Sequence, residues 1–171
     1  MSYQLNAYRY LRALFEYVED WSDWDNIIEA TEKTFWNTGE NATVTCGSSR
    51  LVVVGKDFVI KWDYSEKAVQ EIGGCKEEFM IYQKSLSTGY SHLLAPIYCI
   101  YYRKRFFYIM PKVSKIGIKE HEYKSIDAFV TNKEMEWLKK NIGDLHSYNW
   151  GLNENNKPII IDYACPPSWS R

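Results

Sequence analysis

The sequence has no surplus of charge of either sign: 21 Lys and Arg stand against 22 Asp and Glu, a formal net charge of -1. Without a global positive field, a nucleic-acid partner is disfavoured. It also lacks any apolar run long enough to span a bilayer. Its start, Met1-Ser2-Tyr3-Gln4-Leu5-Asn6, has neither the basic opening nor the apolar stretch of a secretory leader. No membrane association is expected, and the expected compartment is the cytoplasm. Cysteine is scarce and scattered, with Cys46, Cys75, Cys99 and Cys165 too far apart for a zinc knuckle or a redox dithiol. His92, His121 and His146 show no metal-ligand spacing either, so a reduced protein without a structural metal is expected. Repeats, low-complexity stretches and Pro/Gly/Ser-rich linkers are absent, which leaves a single domain over residues 1–171.

What is present is strongly patterned. Across 3–20, Tyr8, Leu11, Phe15 and Val18 recur at helical spacing, and Tyr10, Leu14, Tyr17 and Trp21 form an adjacent stripe. The apolar arc is wider than one packing surface consumes, and it is dense in Tyr and Trp, so the second stripe is expected to stay partly exposed. There it would contact a second copy or a host protein. The alternative is that the helix is simply core. Asp23 can cap a second helix from Trp24 to Phe35, and Asn37-Thr38-Gly39 ends it. Five strands follow, over 43–45, 50–54, 58–62, 97–102 and 106–110. A helix interrupts them, broken at Gly73-Gly74 and firm from Cys75. A further helix is expected over about 123–142 and a strand over 158–161. The basic turn Arg103-Lys104-Arg105 and the lysines Lys112, Lys115, Lys119 and Lys124 read as solvated surface.

The chemistry is concentrated in Gly143-Asp144-Leu145-His146-Ser147-Tyr148-Asn149, followed by Trp150-Gly151-Leu152, a turn, and Ile159-Ile160-Ile161-Asp162. An acidic residue, an amide five positions on, and a second acidic residue closing an apolar strand suit phosphoryl transfer. One carboxylate orients the incoming hydroxyl, while an amide oxygen and another carboxylate hold magnesium against nucleotide phosphates. A tight loop and a hairpin can aim all three at one point.

This stretch resembles the catalytic and metal-binding loops of the protein-kinase-like superfamily, and its Asp-Leu-His form resembles the aminoglycoside-phosphotransferase branch. Val59-Ile60-Lys61 is similar to the family's third-strand lysine, and Glu78-Phe79-Met80-Ile81-Tyr82 to the start of its helix C, with Glu77 as the fallback for the glutamate. The resemblance covers about residues 43–165. It implies an α+β, truncated protein-kinase-like fold, with a five-stranded antiparallel N-lobe and helix C over 42–112 and a reduced helical C-lobe over 113–171; the N-terminal helices over 1–41 lie outside the resemblance. It implies Mg2+ and ATP as cofactors, with Asp144 and Lys61 catalytic, Lys61 and Glu78 at the nucleotide, and Asn149 and Asp162 at the metal. Gly47, Ser48 and Ser49 stand where the family has its phosphate-covering loop, but no G-x-G-x-x-G run exists. Tyr163-Ala164 replaces the usual residues after the metal-binding Asp, and the peptide-holding lobe is expected to be missing.

In size and motif the chain is similar to small kinase-like proteins of bacteriophages, for which the compartment would be the host cytoplasm. Two functions follow from the resemblance. One is a minimal Mg-ATP phosphotransferase acting on a host protein or small molecule. The other is an inert, pseudokinase-type scaffold that binds and blocks a host factor such as a defence enzyme or transcription component.

Overall fold

Period-two patterning builds a five-stranded antiparallel sheet from β1 (Thr43–Cys46), β2 (Arg50–Val54), β3 (Phe58–Asp63), β4 (Tyr98–Tyr102) and β5 (Arg105–Pro111), in the order β1-β2-β3-β5-β4. The computed structural model describes residues 2–46, 50–64, 74–102, 105–115, 129–143, 145, 149–155 and 157–163. It is an α+β structure that divides into two compact units, Met1–Cys75 with Ile97–Lys112, and Lys76–Pro96 with Val113–Arg171.

In the first unit the ladder register sets Leu51 against Trp62, Val53 against Ile60, and Ile60 against Ile109. These residues, with Phe58 and Phe107, alternate onto one face and are buried. Two helices, α1 (Tyr3–Tyr17) and α2 (Trp24–Thr38), supply the rest of that core through Ala7, Tyr10, Leu11, Leu14, Ile27 and Ala30. Each large apolar side chain so buried contributes about 1.5–3 kcal/mol against chain entropy. The turn from β2 to β3 is closed by a Gly55 N–H bond to the Phe58 carbonyl at 3.0 Å. A Cβ on Gly55 would lie 2.4 Å from the Phe58 ring, so only glycine fits under that ring.

The helix ends follow local chemistry. Asp23 caps α2 by accepting the Asp25 and Asn26 N–H groups at 2.9 and 3.3 Å, and Gly39 ends it in the left-handed region at φ 68. The first helix stops at Tyr17, short of residue 20. There, Asp20 accepts the Ser22 N–H at 2.8 Å, and Asn26 accepts the Glu19 and Asp20 N–H groups at 3.0 and 3.1 Å. These side-chain acceptors offer the backbone an alternative to another helical turn.

The expectation that Tyr10, Leu14, Tyr17 and Trp21 stay partly exposed holds only for Tyr17. Tyr10, Leu14 and Trp21 are 1%, 0% and 7% exposed, and Tyr17 is partly buried against the core. The reason is that α1 lies directly on the sheet, so this stripe packs towards β3, β5 and α2, while Tyr8 of the other stripe stays exposed. Trp21 meets Phe15, Trp62 and Phe107 edge-on at centroid distances of 5.1, 5.5 and 4.9 Å. Its carbonyl accepts the Trp62 indole N–H at 3.4 Å.

The second unit holds most of α3 (Cys75–Thr88), a 3-10 turn (Ser91–Leu93), α4 (Asn132–Asn141) and a three-stranded antiparallel sheet of β6 (Ser114–Lys115), β7 (Trp150–Leu152) and β8 (Pro158–Ile160). The helix expected over 123–142 is described only in part, since 123–128 lie outside the described residues. In the described part it begins at Asn132, because Thr131 and Glu134 form a capping box that defines its first turn. The same Glu134 bonds His92 at 2.7 Å, and Tyr90 stacks on Trp137 at 5.2 Å, fastening the 3-10 turn to α4. Among the described residues no helix is long and apolar enough to cross a membrane.

Two outcomes follow for the first unit. Trp21→Ala is expected to cost about 3–5 kcal/mol in urea unfolding, the loss typical of a deleted core aromatic. A variant as stable as the parent would remove Trp21 from the core. Burial also pushes the Tyr10 phenol up to about 12 from 10.0. The unfolded chain ionises this phenol first, so Tyr10's contribution to stability is complete below about pH 10 and is lost as pH rises towards about 12. Tyr10→Phe should therefore show a shallower alkaline decline in its urea midpoint than the parent, and parallel declines would contradict this assignment.

Candidate functional site

The predicted site residues separate by unit. Lys61 belongs to the first, in the middle of β3, where it pairs with Val52 on one side and Tyr108 on the other. Strand alternation turns it to the face opposite Ile60 and Trp62, away from the core shared with α1 and α2. It is only 7% exposed. Two residues further on, Asp63 accepts the Cys75 N–H at 2.9 Å and so ties the end of β3 to the first residue of α3. An open polar hollow of about 460 Å³ in this unit is lined by Glu40, Asn41, Lys56, Lys112 and neighbours at the β2–β3 turn. It contains none of the predicted site residues.

Glu78, Asn149 and Asp162 belong to the second unit, and here the backbone brings them to one place. Strands β7 and β8 pair as Trp150 with Ile160, Gly151 with Ile159 and Leu152 with Pro158. Their tight turn is held by Asn153, whose side chain accepts the Asn155 and Lys157 N–H groups at 2.9 and 3.0 Å. One step beyond the paired strands, the Ile161 N–H donates to the Asn149 carbonyl at 2.7 Å. Asn149 and Asp162 therefore flank the same end of one hairpin, the first entering β7 and the second leaving β8. Asn149 is buried and Asp162 is partly buried.

Glu78 reaches the same end from α3. Its carboxylate has no solvent exposure, and one oxygen accepts the Tyr163 N–H at 3.2 Å, on the residue next to Asp162. The neighbouring Glu77 is partly exposed, and partial burial raises its carboxyl above the usual range. Of the two glutamates considered from sequence, Glu78 is thus the one joined to the hairpin.

The donors at this end are an amide oxygen and a carboxylate, hard oxygen ligands that suit magnesium better than a soft metal. Among the described residues no group of three His, Cys, Asp or Glu side chains gathers in a metal-holding cluster. Two protein oxygens still fit magnesium, which ordinarily completes its shell with water and substrate phosphates. Asp144, Gly47, Ser48 and Ser49 lie outside the described residues. The residue after Asp144 is held, since the Leu145 carbonyl accepts the Trp150 indole N–H at 3.3 Å.

Two participants were not legible as such in the sequence. Tyr163 counted there only as a departure from the family pattern, and Ala95 carried no reading. Tyr163 is fully buried and donates its hydroxyl to the Ala95 carbonyl at 3.0 Å. The usable signal was an aromatic residue directly after a carboxylate that ends an apolar strand. No protein-family model matches the chain, and no curated protein matches it either.

Glu78 gives a direct test of this geometry. Glu78→Leu deprives the Tyr163 N–H of its acceptor and should cost about 1–3 kcal/mol in urea unfolding. Glu78→Gln keeps a carbonyl oxygen at that point and should cost less. Equal losses in the two variants would contradict a role for this hydrogen bond.

Proposed function

We propose that the protein is a minimal, kinase-like phosphotransferase that uses Mg-ATP to phosphorylate a hydroxyl on a host protein or small molecule. The observation that carries this reading is the β7–β8 hairpin, whose register brings an amide and a carboxylate to one end in the order the resemblance requires. The buried Lys61 in mid-strand and the buried Glu78 beside Tyr163 support it. A lysine and a glutamate are seldom buried unless partners meet them, because taking an ionised side chain out of water costs several kcal/mol, so their burial marks organised positions.

In this reading Asn149 and Asp162 would hold magnesium, and Lys61 would serve the nucleotide phosphates, the roles the resemblance implies. When bound, the metal supplies positive charge beside the transferring phosphoryl group. Asp144 orients the acceptor hydroxyl and takes its proton as the oxygen attacks. Glu78 fixes the backbone next to Asp162, and partial burial of that carboxylate keeps its competition with bulk water low. The chain contributes position and charge, with no covalent intermediate on any residue.

Thermal unfolding with ATP, with and without magnesium, tests the reading without knowledge of the acceptor. At about a hundred times the dissociation constant, binding to the native state alone adds about 2.7 kcal/mol. That corresponds to about 5–10 °C for a chain of this size, at about 2–4 °C per kcal/mol. Asp162→Ala should abolish the magnesium-dependent part, and Asp144→Asn should keep it while losing transfer of labelled γ-phosphate to host lysate. No shift at millimolar nucleotide would overturn the enzyme reading in favour of the inert scaffold, and equal labelling by Asp144→Asn would remove Asp144 from the mechanism.

A further inference from the structure

We infer that Tyr163 is a positioning residue for the metal site, acting through its hydroxyl bond to the Ala95 carbonyl to hold Asp162 in place before any ligand arrives. The inference rests on the proposed function, since it assigns a purpose to the geometry around Asp162. It starts from the number of bonds that meet on this short stretch. The Ile161 N–H is held by Asn149 at 2.7 Å, the Ile160 carbonyl accepts the Ala95 N–H at 2.8 Å, and the Tyr163 N–H is held by Glu78 at 3.2 Å. Leu94 and Ile160 form an isolated parallel bridge, so the segment after the 3-10 turn meets the end of β8 at that point.

Ala95 is thus bonded twice to the exit of β8, by its N–H before Asp162 and by its carbonyl after it. The second bond comes from a side chain. Tyr163 is fully buried, and the acceptor its phenol finds belongs to the same strap that already holds Ile160. Between these two anchors only Ile161 and Asp162 remain, which limits the arc through which the Asp162 carboxylate can swing. A metal ligand fixed in this way loses little conformational freedom on binding.

Packing alone would need only the ring. A phenylalanine fills the same space, lacks the hydroxyl, and leaves the Ala95 carbonyl without this donor. Tyr163→Phe therefore separates the two roles.

The experiment titrates Mg2+ against the full chain at fixed ATP, following thermal unfolding, with a parallel series of ATP in EDTA. Tyr163→Phe should match the parent with ATP in EDTA but need about tenfold more Mg2+ to reach half of the magnesium-dependent shift, the loss typical of a changed group behind a metal ligand. An unchanged Mg2+ midpoint in a parent that responds to magnesium overturns the positioning role and leaves the proposed function standing. A parent without any magnesium-dependent shift overturns both. Should Tyr163→Phe fail to fold, amide hydrogen exchange on the ligand-free parent decides the point. Protected Ala95 and Tyr163 amides support a site organised in advance, and exchange at the rate of a free chain overturns it.

Discussion

A carboxylate without solvent exposure persists in a fold only where donors meet it, because desolvating the charge costs several kcal/mol. Glu78 is such a group, and a donor that meets it is the backbone N–H of Tyr163. This one bond makes the position of α3 and the exit of β8 interdependent. The α3 helix cannot shift along its axis without stranding either the carboxylate or the N–H. The exit of β8 cannot move without also breaking its bonds to Ala95 and Asn149. A site whose ligands sit on a loop would normally sample many arrangements. Here the loop is reduced to the few bonds between Ile160 and Tyr163.

The first unit divides labour between the two faces of its sheet. One face is given to stability, with alternate residues of β2, β3 and β5 meeting α1 and α2 in an aromatic core around Trp21, Trp62 and Phe107. The other carries Lys61 in the row formed with Val52, Tyr108 and Cys99. Because strand alternation is strict, the residues that set stability and the residue that bears charge are adjacent in sequence yet on opposite faces. Cys99, further along that row, is exposed, yet partial desolvation by its neighbours raises its thiol to about 11. Desolvation on the first face acts similarly on Tyr10.

The sheet was legible in the sequence because its signals are local. The Gly55-Lys56-Asp57 turn and the alternation on either side fix β2 and β3, and Asp23 and Gly39 bracket α2. What could not be read was which surface would consume a broad apolar arc. Tyr10, Leu14 and Trp21 have the composition of an interface, and only the position of α1 on the sheet makes them core. The two-residue strand β6, Ser114–Lys115, was missed because strands that short carry no periodicity. The Thr131-x-x-Glu134 capping box was a local signal that the helical pattern obscured. In the site, the Asn149 and Asp162 juxtaposition followed from hairpin length. The choice of Glu78 over Glu77 depended on the rotation of α3, which two consecutive glutamates cannot reveal.

The departure at Tyr163 bears on how the rest of the chain is read. Against a family pattern, an altered residue beside a metal-binding aspartate counts as decay. Measured by its bonds, it does the opposite, since a side chain with a hydroxyl adds an anchor that an apolar aromatic could not make. An unpaired buried polar group costs about 1–3 kcal/mol in any fold, so these bonds stabilise the chain whatever its activity. They also converge on the stretch that carries the carboxylate assigned to magnesium under the proposed function. Constraint of this kind beside Asp162 is common to a working site and an inert scaffold, and only the first would put it to chemical use.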